Sequence, residues 1–137
     1  MTTPEGPLAT PRLPAAWGEV FDKLSILEIK CDRLSGEAAL ANVRHERQIL
    51  AAAAAPALAA CPELAEHQAR LARVNGTLWD VEDRLRECEA AGRFDAGFVE
   101  LARSVYRLND ERAAIKRAIN ALLRSEIVEE KGYSAWR

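Results

Sequence analysis

Residues 64–88 read LAEHQARLARVNGTLWDVEDRLREC, and their spacing decides the fold. Leu64, His67, Leu71, Val74, Leu78, Val81, Leu85 and Cys88 recur at alternating intervals of three and four. Residues so spaced share one face of a helix, and that face forms a seam that needs a partner helix. Past Gly92 the rhythm resumes with Phe98, Leu101, Val105, Leu108, Arg112, Ile115, Ile119 and Leu122. A short turn joins the two stretches, and short connections make neighbouring helices antiparallel.

Upstream, Trp17, Val20, Leu24, Leu27, Cys31 and Leu34 mark one buried face of a first helix. Gly36 suits its end, because glycine tolerates the left-handed conformation there. Glu37 opens a second helix, which Pro56 is expected to end, since the residue before proline is pushed out of helical geometry. The alanine-rich stretch 51–60 then reads as a frayed end and a loop. Pro62 suits a first helical turn and Asp95 an N-cap, with Phe94 and Val99 as a hydrophobic staple.

The expected helices are thus 15–34, 37–54, 62–91 and 95–125, within a single helical domain over 15–125. Residues 1–14, with Pro4, Pro7, Pro11 and Pro14, read as a flexible arm. The pattern leaves the order of the tail, 126–137, undecided. The fold class is all-α, antiparallel helical hairpins forming an irregular four-helix bundle or a coiled-coil-like bundle. The shorter first pair does not cover the whole long hairpin, so a homodimer is expected to bury the remainder.

Composition narrows the classes of function. The 137 residues are 49% hydrophobic and 29% charged, with a net charge of −2 and no basic patch, which argues against nucleic-acid binding. The uncharged run from Ile49 to Pro62 is too short to cross a bilayer, and no secretion signal opens the chain. Cys31, Cys61 and Cys88 lack CxxC spacing and read as reduced thiols in the cytoplasm. His45-Glu46 raises the thought of a metal, but a di-iron bundle needs Glu-x-x-His pairs and none occurs. Neither a metal nor a cofactor is expected. Nucleotide loops and hydrolase motifs are missing too.

Polar residues that break the apolar seams are the candidates for function. Arg112 occupies a seam position, and a guanidinium there needs a partner, for which Asn75, Glu82 or Asp110 are in reach. It is a register-setting polar layer, a ligand site or a solvated side chain. Beside the seams run two stripes: Asn75, Trp79, Glu82 and Arg86 on the third helix, and Tyr106, Asn109, Ala113, Lys116 and Asn120 on the fourth. Such sets build a polar pocket, a dimer interface or an ordinary surface. His67, alone on an apolar seam, reads as a satisfied core or rim residue.

The strings Trp17-Gly18-Glu19, Asp22-Lys23, Ile26-Leu27-Glu28-Ile29-Lys30, Asn42-Val43-Arg44-His45-Glu46, Val74-Asn75 and Leu78-Trp79-Asp80-Val81-Glu82-Asp83 resemble a family of small bacterial and phage all-helical proteins of unknown function. So do Phe98 to Tyr106, Asn109-Asp110, Arg112 to Asn120, and Val128-Glu129-Glu130-Lys131 with Tyr133. The resemblance spans residues 13 to 133 and implies no reaction. It adds Glu19, Asp22, Lys23, Glu28 and Lys30 as secondary candidates. The chain departs from the pattern at Ala16, where a serine that would cap the first helix often stands.

Two functions follow as expectations. The first is a non-enzymatic, self-associating interaction or adaptor protein that holds a protein partner through the Trp79–Tyr106 stripes and residues 129–133. The second is an enzyme or binder of an anionic small molecule. Arg112, Lys116, Glu82, Asn75 and Asn109 would position it electrostatically, by analogy with chorismate-mutase-type helical dimers.

Overall fold

Gly92 takes the left-handed conformation (φ 64°) and closes a helix in a computed structural model that describes residues 2–136. Its N–H donates to the Glu89 carbonyl, and the Arg93 N–H donates to the Cys88 carbonyl, a Schellman-type stop. Four residues later the next helix begins behind Asp95, whose carboxylate accepts from the Phe98 N–H at 3.0 Å. Four helices result: α1 (Trp17–Arg33), α2 (Glu37–Ala60), α3 (Leu64–Ala91) and α4 (Ala96–Leu122). The described residues contain no strand. Residues 2–13 are exposed and have no regular structure.

α1 is the central element, packed on α2, α3 and α4, while α3 and α4 pack on each other. The core gathers Phe21 and Leu24 of α1, Ala54 and Ala57 of α2, Leu71, Val74 and Leu78 of α3, and Ile115 and Ile119 of α4. The α3 seam closes as its spacing predicts: Leu64, Leu71, Val74, Leu78, Val81 and Cys88 are buried, with His67 and Leu85 half-buried. The α4 seam closes only in part. Ile115 and Ile119 are buried, but Phe98, Leu101, Val105 and Leu108 are half-buried and Leu122 is exposed.

α2 departs from its sequence reading, because it runs through Pro56 to Ala60 rather than ending at 54. The exposed ring of Pro56 costs one backbone hydrogen bond. The surrounding alanines are the best helix formers, and Ala54 and Ala57 are buried in the core, so packing outweighs the lost bond. Pro56→Ala is expected to raise stability by about 1–2 kcal/mol, measured by urea unfolding. No gain would mean that the helix has already relaxed around the ring. The staple is also different: Phe94 packs edge-on against Phe98 at 5.2 Å, and Val99 is exposed.

Candidate functional site

α1 starts without a side-chain cap at Ala16. Its first N–H groups would be orphans, since the opening turn of a helix has no internal acceptors. Residues at the far end of α4 supply acceptors instead. The Gly18 N–H donates to Asn120 Oδ1 at 2.7 Å, and the Trp17 N–H donates to Ser125 Oγ at 3.2 Å. Gly18 makes this approach feasible, because a Cβ there would lie 2.4 Å from the Lys116 carbonyl oxygen. The acceptors that a capping side chain at Ala16 would supply come instead from groups more than a hundred residues away in sequence.

One turn further along α1 sits Asp22, 1% exposed. Its carboxylate accepts from Arg112 Nε at 2.8 Å and also from Arg112 Nη2, and from Asn75 Nδ2 at 3.0 Å. Asn75 reaches Ser25 Oγ at 3.3 Å as well. A forked guanidinium on a carboxylate is the strong form of ion pair, and here it joins α1, α3 and α4 at one point. The carboxylate raises the Arg112 pKa above its usual value, against the opposing effect of burial.

Lys116 lies beside this node. Its Nζ donates to Glu19 Oε2 at 2.8 Å and Glu129 Oε2 at 3.1 Å, with Asp22 Oδ2 at 3.9 Å. Burial disfavours its charge, but the two bonded carboxylates outweigh burial and hold the ammonium above its ordinary pKa. Glu129 also accepts from Lys131 Nζ at 2.6 Å. Lys131 and then Lys116 hold the Glu129 carboxyl down to about 2. A carboxyl depressed in the folded state stabilises above its ordinary value near 4.5 and loses that effect as pH falls toward 2. The side-chain NMR titration of Glu129 is therefore expected to have its midpoint near pH 2. A midpoint near 4.5 would mean that the contact does not persist in solution.

Glu129 belongs to residues 123–136, which leave α4 through Arg124 (φ 50°) and run back along it. Ser125 Oγ donates to the Ile127 carbonyl at 2.6 Å. At the far end the Trp136 ring lies tilted against Tyr106 with centroids 5.3 Å apart, lies 5.9 Å from the Arg107 guanidinium, and donates its indole N–H to Asp110. Between this segment and α4 lies an open groove of about 970 Å³, lined by Tyr106, Asn109, Arg112, Lys116, Lys131 and Tyr133 among others.

The residues singled out by sequence therefore separate. Arg112 pairs with Asp22, not with Asn75, Glu82 or Asp110, and Asn75 shares the same carboxylate. Glu82 pairs with Arg86 on its own helix at 2.8 Å, and Trp79 is half-buried. Tyr106, Asn109 and Lys116 face the groove, whereas Asn120 caps α1. On α1, Glu19 and Asp22 join the polar cluster, while Lys23 and Glu28 face Glu46 and Arg47 of α2 at 3.9 and 3.8 Å. Lys30 is half-buried in the last turn of α1. Gly18, Ser25 and Ser125 were not among the candidate residues, since a lone glycine or serine carries no periodic signal. His67 also differs from expectation: its Nδ1 is buried without a hydrogen-bond partner among the described residues.

One family of proteins matches almost the whole chain. The chain belongs to the family of unknown function DUF6165, matched over residues 13–136. The matched span includes the α1 caps, the Asp22 node and the segment returning to Trp136. No curated protein and no solved structure matches the chain. Among the described residues no group of His, Cys, Asp or Glu could hold a metal ion, and no helix is long and apolar enough to cross a membrane.

Proposed function

We propose that this protein is a non-enzymatic helical interaction protein that self-associates through the projecting end of its α3–α4 hairpin. One observation carries the reading: the heptad seam continues to the turn, but its burial on α4 does not. α1 ends at Arg33, bonded to Asp80, while α3 runs on to Ala91. Beyond that point Phe98, Leu101 and Val105 are half-buried, and Phe94 and Val99 are 57% and 51% exposed. A continuous seam left partly open is what a second helical pair fills in a coiled-coil-like contact. A two-fold dimer uses the same patch on both copies, so the hairpin end needs no other partner. Cys31, Cys61 and Cys88 are free thiols, in keeping with a reducing cytoplasm.

The groove beside α4 favours a second reading, a binder of an anionic small molecule. Against it, Arg112 is engaged by Asp22, and Lys116 by Glu19 and Glu129. Glu82 is held by Arg86 on its own helix. Light scattering is expected to give a dimer for the native chain and a monomer for Phe94→Glu/Val99→Glu, whose exposed positions leave the monomer fold intact. A native chain that stays monomeric at high concentration overturns the dimer. Thermal stabilisation by anionic metabolites that is lost in Lys116→Met would favour the binder instead.

A further inference from the structure

We propose that the face of α4 carrying Tyr106, Asp110 and Lys116 is a docking site for an acidic–aromatic peptide segment. Its occupant is the chain's own segment 126–136, seated on the α4 of the same molecule.

The segment carries no regular secondary structure. It is held against α4 by side-chain contacts near its two ends. Glu129 meets Lys116 at 3.1 Å, and Trp136 meets Tyr106, Arg107 and the Asp110 carboxylate. Between those anchors the chain bridges an open groove, and Tyr133 is 82% exposed. A strap with so little buried surface is kept in place chiefly by its tether, whose effective concentration is in the millimolar range for short flexible links. None of the anchoring contacts depends on chain connectivity.

The pattern of chemistry defines what fits. A carboxylate completes Lys116, which also faces Glu19. Seven residues on, an indole fills the angle between Tyr106 and Arg107 and donates to Asp110. Tyrosine, arginine and a hydrogen-bond acceptor around one indole form the kind of anchor pocket that concentrates binding energy in recognition sites. A basic or purely aliphatic segment meets neither anchor.

The test uses a labelled synthetic peptide of residues 126–136 and the full-length chain. In Glu129→Gln/Trp136→Ala the resident segment has lost both anchors, so the vacated site is expected to bind the peptide at least about tenfold more tightly than the native chain. Adding Tyr106→Ala to that variant is expected to abolish binding. Equal binding by native chain and variant, or none by the variant with its helical content intact, overturns the proposal. A second readout needs no variant: excess unlabelled peptide should shift the backbone resonances of Ser134 and Ala135 in the native chain to unstructured values. Unmoved resonances at millimolar peptide also overturn it. Phe94 and Val99 take no part, so Phe94→Glu/Val99→Glu is expected to leave the peptide titration unchanged even where it changes the oligomeric state.

Discussion

Arg112→Met is expected to cost about 3–5 kcal/mol of folding stability, measured by urea unfolding at neutral pH. The reason lies in what the change leaves behind. Asp22 is 1% exposed, and without the guanidinium its carboxylate keeps only the Asn75 amide at 3.0 Å and Lys116 at 3.9 Å. Lys116 is already shared with Glu19 and Glu129, so it does not replace the lost charge. An uncompensated buried charge is the costly outcome, whereas removing both charges together often comes close to neutral. Asp22→Asn/Arg112→Met is therefore expected to be more stable than Arg112→Met alone by about 2 kcal/mol, despite carrying one more substitution. Since single domains are stable by only about 5–15 kcal/mol, the single variant should lose a large share of its margin. If Arg112→Met unfolds at the native urea concentration, the node does not hold α1 in place, and Arg112 is a surface side chain in effect.

That result bears on how much was legible beforehand. The α3–α4 hairpin follows from heptad spacing, because a seam is a local periodic signal that burial then obeys at Leu71, Val74, Leu78 and Ile119. The need of Arg112 for a partner was legible for the same reason. Its partner was not, because Asp22 stands ninety positions away on α1 and reaches the seam only when α1 packs into it. The expectation that Asn75 is in reach was close in space, since both residues meet at Asp22. Pro56 misled because a local stop signal was outweighed by tertiary burial of Ala54 and Ala57, which no window of sequence displays. The returning segment was undecided for a similar reason: its few anchors, Glu129 and Trp136, lie in a stretch without any period.

Gly18→Ala is expected to be the other severe substitution, with a loss of about 3 kcal/mol or more. Alanine normally improves a helix over glycine by about 1 kcal/mol, so propensity alone predicts a gain. Gly76, in the middle of α3, tests that baseline: a Cβ there meets nothing within 4 Å, and Gly76→Ala should stabilise the fold by about 0.5–1 kcal/mol. At Gly18 the same methyl group would meet the Lys116 carbonyl oxygen at 2.4 Å, its carbonyl carbon at 2.9 Å and its Cα at 3.0 Å. All three are backbone atoms inside α4, which cannot turn aside as a side chain would. Relief requires the start of α1 to back away from α4. That movement stretches the Gly18–Asn120 bond of 2.7 Å and the Trp17–Ser125 bond of 3.2 Å, which are what α1 has in place of an N-terminal side-chain cap. It also pulls Glu19 from Lys116, next to the buried Asp22 node. The two glycine variants, unfolded side by side in urea, separate close packing from chain entropy. Opposite signs are expected, and a Gly18→Ala protein as stable as the native chain would show that α1 and α4 do not meet backbone to backbone in solution.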